Sequence, residues 1–144
     1  MIKNERQYRI TMAQAQKFQR ALRMLDMKKN GDKAIHPKLK KAQKDAMRSQ
    51  LADLEKEIED YEFLQSGKRK ILDLDSFDDL PRALIEARIA THLTQKELAD
   101  RLGVKEQQIQ RYEATDYASA SFTRMKEVVK ALGIEIKEQV VLAK

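Results

Sequence analysis

The sequence predicts an all-α protein: an N-terminal αα-hairpin, then four to five short helices, and a short C-terminal strand. Three observations carry that prediction. Apolar residues recur at steps of three and four along most of the chain, the spacing of one helix face. Gly and Pro are scarce, four and two in 144 residues, which leaves little sequence for loops. Charged residues make up 36% of the chain and aromatics only 6%, the profile of helices with solvated outer faces.

Taken in order, Thr11 with Gln14 reads as a capping box, followed by Phe18, Leu22 and Leu25 at helical spacing. That pattern predicts a first helix from Met12 to Lys28. Asn30-Gly31-Asp32 reads as a turn. A longer helix is expected from Pro37, a residue suited to a first helical position, to Leu64. Its apolar stripe runs through Leu39, Ala42, Ala46, Met47, Leu51, Leu54, Ile58, Tyr61 and Leu64, and Ser66-Gly67 stops it.

The long helix carries its charge in two blocks. Lys38, Lys40, Lys41, Lys44 and Arg48 crowd its start; Asp53, Glu55, Glu57, Glu59, Asp60 and Glu62 crowd its end. This is the reverse of what the helix macrodipole favours, so the arrangement does not serve the isolated helix. Two such helices laid antiparallel would match basic half to acidic half along an apolar seam; the alternative is a solvated charged helix packed only on its own hairpin partner.

After the connector GKRKILDLD, Ser76 or Asp79 is expected to cap the next helix, with Pro81 inside its first turn. Further helices are expected over 78–90, 95–102, 106–113 and 121–132. Ile134, Ile136 and the run Val140-Val141-Leu142 alternate weakly toward a strand, which would need a partner such as its copy in a dimer.

The net charge of +6 points to a polyanionic partner. Its distribution does not point to one place, however, because residues 1–72 carry +8 and residues 73–144 carry −2. There is no cysteine, which excludes a disulfide framework and thiolate chemistry and fits a reducing compartment. The N-terminus lacks an apolar leader core and no apolar run reaches spanning length, so a cytoplasmic protein with no membrane contact is expected.

The most specific stretch is TQKELADRLGVKEQQIQRYE, from Thr94 to Glu113. Thr94 can cap a helix whose first turn holds Gln95 and Glu97, a place that favours a phosphate or carboxylate. Leu98, Ala99 and Leu102 face inward, and Ala99 lets two helices cross closely. Gly103 permits the left-handed turn, Val104 fills the space beneath it, and Ile109 and Tyr112 anchor the second helix. Lys105, Glu106, Gln107, Gln108, Gln110 and Arg111 are left to point outward.

This stretch resembles the Cro/Xre-type helix-turn-helix regulators, the phage-repressor family, on the pattern T-Q-x-E-L-A-x-x-L-G-V-x-x-x-x-I-x-x-Y-E. The similarity extends from about Leu80 to Gly133. It implies a repressor-like helix-turn-helix domain whose second motif helix enters the major groove. Glu106, Gln107 and Gln108 then fall at base-facing positions, and Gln95 falls where the preceding helix touches a phosphate. Arg88 and Glu113 fall where the family often has a buried structural ion pair. Glu106 departs from the family, which more often has a neutral or small polar residue there.

The chemistry of these side chains agrees with that placement. Glutamine bonds bidentately to adenine, lysine reaches guanine or a phosphate, and glutamate accepts from cytosine. Arg111, Arg124 and Lys126 are candidates for backbone clamps, which position without reading sequence. Tyr117, Ser119 and Ser121 lie in a segment expected to pass a phosphate strand, where each can donate a hydrogen bond or serve as a local cap.

His36, before Pro37, reads as an N-cap or surface residue and His92 as a helix end; with no cysteine, a metal site is not expected. No phosphate-binding Gly-rich loop or nucleophile elbow is present, so neither an enzyme nor a cofactor is expected. Residues 1–70 are read as a hairpin for dimerisation or partner binding, 71–77 as a linker, and 78–144 as the DNA-binding domain. The expected function is a sequence-specific transcriptional regulator, a repressor that binds double-stranded operator DNA as a homodimer. The alternative is an antitoxin that holds its toxin through the hairpin and represses the shared operon; nonspecific nucleoid-type binding is weaker, since it wastes base-facing glutamines.

Overall fold

The computed structural model describes residues 1–27 and 36–143. It divides into two compact units, Met1–Phe63 and Leu64–Lys144. All regular structure among the described residues is helical. The expected turn at Asn30-Gly31-Asp32 lies outside the described residues.

In the first unit, α1 spans Glu5–Met27 and α2 spans Pro37–Gln65. Helix α1 begins well before the expected Met12. Its start is held by Asn4, whose Oδ1 accepts from the Gln7 amide at 2.8 Å, while Gln7 Oε1 accepts from the Lys3 amide at 2.9 Å. This is the reciprocal logic of a capping box, placed seven residues earlier than the one read at Thr11. Thr11 is instead buried inside the helix and donates its hydroxyl to Gln7 O at 2.8 Å. Helix α2 starts where expected: Pro37 is its first residue, and His36 caps it by accepting from the Lys38 amide through Nδ1 at 3.2 Å. Gly67, with φ of +70°, supplies the left-handed residue beyond its end, and its amide donates to Leu64 O at 3.2 Å.

The two helices run antiparallel, in a register marked by pairs along their length. Tyr8 donates to Glu62 Oε1 at 2.6 Å and stacks obliquely on Tyr61, Gln19 donates to Glu55 at 3.3 Å, and Lys44 meets Asp26 at 2.7 Å. Ala15, Ile58 and Tyr61 are buried along this seam, with Phe18, Leu22, Leu25, Met47, Leu51 and Leu54 half-buried. The stripe expected on α2 is therefore split. Its later part faces α1, whereas Leu39, Ala42 and Ala46 stay exposed, because the single-residue step from Ala46 to Met47 turns about 100° around the helix and changes face.

The second unit holds the larger core. A 3₁₀ turn at Phe77–Asp79 leads into α3 (Leu80–Ala90), followed by α4 (Gln95–Leu102), α5 (Glu106–Ala114) and α6 (Phe122–Leu132). Ser76 caps the entrance in a full capping box with Asp79, and Pro81 lies in the first turn of α3. Leu84, Ile85, Leu98, Ile109 and Val128 are essentially inaccessible to solvent, so α3, α4, α5 and α6 share one apolar centre. Residues 134–143 form neither helix nor strand, and Val140, Val141 and Leu142 are exposed. The expected strand is thus not formed at 134–143, and no second strand stands among the described residues for it to pair with.

Candidate nucleic-acid interface

Helices α4 and α5 are set against each other by a turn of three residues. Thr94 caps α4 by accepting from the Glu97 amide at 3.0 Å. Ala99 is buried to 1% exposure, which allows the close crossing with α5. Gly103 takes φ of +69° at the end of α4, and the Val104 amide returns to Ala99 O at 3.0 Å. Ile109, Tyr112 and Glu113 of α5 point into the core.

A buried polar cluster fixes the far end of α5. Arg88 of α3 donates through Nε to Glu113 Oε2 at 2.6 Å and through Nη2 to Oε1 at 2.8 Å. Its Nη1 donates to Leu93 O at 2.8 Å, which also satisfies the turn between α3 and α4. The family resemblance implied this ion pair, and it is present with both partners buried. Desolvation alone would make such a pair costly, but the bidentate geometry and the extra partners offset that cost.

Gln95 belongs to this cluster rather than to the surface. It is 5% exposed, and its Nε2 donates to Glu113 Oε1 at 3.0 Å. The expected phosphate contact by its carboxamide is therefore corrected: the side chain turns inward because a carboxylate with a spare lone pair waits there. Tyr117 is corrected likewise. Its ring is buried and stacks on Tyr112 at 5.7 Å between centroids, with its backbone at φ of +58°. Burial pushes its hydroxyl pKa far above the usual tyrosine value, and the nearby Glu113 adds to the shift. The hydroxyl is buried with no hydrogen-bond partner among the described residues, so it is not placed to reach a phosphate.

The outward positions stand where the sequence placed them. Lys105, Glu106, Gln107, Gln110 and Arg111 are exposed and Gln108 is half-buried. An open depression of ≈ 320 Å³ gathers Lys105, Gln107, Gln108 and Arg111 of the α5 segment with Arg124 of α6. Three cations and two carboxamides thus surround one concavity, a combination suited to a phosphate-bearing strand and the base edges beside it. Arg124 is held from behind by Glu127 Oε2 at 2.9 Å. Lys105 occupies the N-cap position of α5 and supplies no side-chain cap, and Glu106 in the first turn is favoured there by the helix dipole. That gives the departure at Glu106 a structural reason.

Of the serines, Ser121 caps α6 by accepting from the Arg124 amide at 3.0 Å, and Ser119 is exposed. Lys126 is not with the other cations: its ammonium lies 5.6 Å from the Phe122 ring centroid, beside an apolar depression that includes Phe77, Met125 and Ile136. Arg101, which the sequence did not single out, donates to Ala131 O at 2.7 Å and ties α4 to the end of α6. No sequence pattern marks a contact made across thirty residues by a generic surface arginine.

No helix among the described residues is long and apolar enough to cross a membrane. No curated protein and no solved structure matches the chain. Residues 84–139 match the helix-turn-helix family model, a span that contains the whole α4–turn–α5 arrangement and the helix packed over it. Over these residues the chain is similar to helix-turn-helix proteins, in line with the Cro/Xre-type resemblance read from Thr94 to Glu113.

Proposed function

We propose that the protein is a sequence-specific transcriptional regulator, a repressor that reads the major groove of double-stranded DNA with α5. The observation that carries this reading is the grouping of Gln107, Gln108, Lys105, Arg111 and Arg124 around one open depression at the exposed face of α5. Glutamines at positions 107 and 108 read base edges, and the cations hold the flanking phosphates. Thr94, Gln110, Ser119 and Ser121 complete the contact surface at its margins. Residues 73–144 carry a net charge of −2, so affinity comes from a few placed side chains and from two-fold binding rather than from bulk attraction. The protein acts as a homodimer on a palindromic site, the arrangement that doubles a short reading head.

The test is a titration of the full chain against duplex from its own upstream region and against random duplex, at matched salt. A preference of at least about a thousandfold supports specific reading. Equal affinity for the two duplexes refutes it.

The antitoxin reading is favoured by one observation: Met1–Phe63 forms a compact unit outside the matched residues 84–139. An adjacent gene whose product co-purifies with the full chain, and is lost when the hairpin surface is substituted, would establish it.

A further inference from the structure

The outer face of α2 has a symmetry that the rest of the protein does not explain. From Leu39 to Phe63 a seam of exposed residues advances in alternating steps of three and four, its positions spaced symmetrically about 51. Leu39 and Phe63, the two large apolar residues at its ends, are 64% and 47% exposed. Between them the seam sets Ala42 opposite Asp60, Ala46 opposite Lys56 and Ser49 opposite Asp53 when one α2 is laid antiparallel on another. Each long charged side chain thus meets a small one, which leaves room for it.

The charges beside the small residues are opposite in sign to those they would face in all three cases. Lys41 precedes Ala42 and would lie by Asp60; Asp45 precedes Ala46 and would lie by Lys56; Arg48 precedes Ser49 and would lie by Asp53. In the broader pattern, residues 37–48 hold five cations and one carboxylate, and residues 53–62 hold six carboxylates and one lysine. A helix charged against its own macrodipole is explained when a second helix of opposite direction supplies the complementary field. Parallel pairing would instead set basic block on basic block and acidic block on acidic block.

We propose that the outer face of α2 is a self-recognition surface, on which a second copy of this chain packs antiparallel about a two-fold axis near Leu51. Leu39 of each copy covers Phe63 of the other, and the charged blocks fix direction and register. The surface lies entirely within α2, so the proposal stands or falls separately from DNA reading by α5.

The test is sedimentation equilibrium of the full chain without DNA, at about 50 mM and 500 mM salt. The expected result is a dimer at low salt whose Kd rises by about tenfold or more at high salt. Lys41→Glu and Asp60→Lys, each checked for unchanged helicity by circular dichroism, should each raise Kd by about tenfold. The double variant Lys41→Glu/Asp60→Lys should return it to within about threefold of the parent, since the pair is restored with its signs exchanged. A chain that stays monomeric at all concentrations overturns the proposal. So does a dimer indifferent to both reversals, whose interface lies elsewhere, or a double variant no better than the singles.

Discussion

Gln95 and Glu113 meet at 3.0 Å inside the second unit, so the first residue of α4 is bonded to the last full turn of α5. Arg88 reaches the same carboxylate from α3. Three helices are therefore joined through a single buried acid. Glu113→Ala leaves the guanidinium buried without its counter-charge and should destabilise the fold by about 3–5 kcal/mol. Replacing both partners, Arg88→Met with Glu113→Leu, should cost less than the single change. Urea denaturation of the two variants measures the difference.

Gln107→Ala should lower discrimination at one base pair of the operator by about 1–3 kcal/mol and leave affinity for random duplex unchanged. Arg111→Ala should weaken binding to all duplexes alike and reduce the slope of log affinity against log salt by about 1. Fluorescence anisotropy over a salt series separates the two outcomes.

Tyr117→Phe removes a buried hydroxyl that has no partner among the described residues while keeping the ring against Tyr112. Stability should stay within about 0.5 kcal/mol of the parent or rise, because the isolated hydroxyl costs desolvation and returns no bond. DNA affinity should not change. A clear loss of affinity would restore Tyr117 to the contact surface.

Gly103→Ala meets no atom within 4 Å of the added methyl, so no clash is introduced. The cost comes from φ of +69°, where an L side chain is strained. A loss of about 1 kcal/mol is expected, seen as a lowered Tm with DNA specificity intact.

Asp26 has its pKa lowered by the hydrogen bond and charge of Lys44. A depressed folded-state pKa means that the pair's contribution is present above the ordinary aspartate range and is lost as pH falls through the folded value. Asp26→Asn should therefore flatten the acid limb of stability against pH for the hairpin. Its effect should be small, since the carboxylate is solvated.

Features set by neighbours in sequence were legible before the structure. Pro37 and His36 open α2, Thr94 and Ser121 cap α4 and α6, and Gly103 makes the turn, because each acts within three residues of itself. The start of α1 was misread because Thr11 and Gln14 fit a capping box as well as Asn4 and Gln7 do, and only the backbone chooses. Gln95 and Tyr117 were misread for a different reason. A long polar side chain at a helix start, or a tyrosine in a loop, turns inward only if a distant group receives it, and Glu113 lies 18 residues from Gln95. The Arg88–Glu113 pair was recovered through the family pattern, since spacing alone does not join residues 25 apart.

On α5 the side chains that hold the fold and those that face solvent are separate sets: Ile109, Tyr112 and Glu113 inward, Glu106, Gln107, Gln110 and Arg111 outward. An exchange at an outward position leaves every core contact in place. Under the proposed reading of DNA by α5, the protein can thus be re-addressed one residue at a time, its scaffold indifferent to the message it carries.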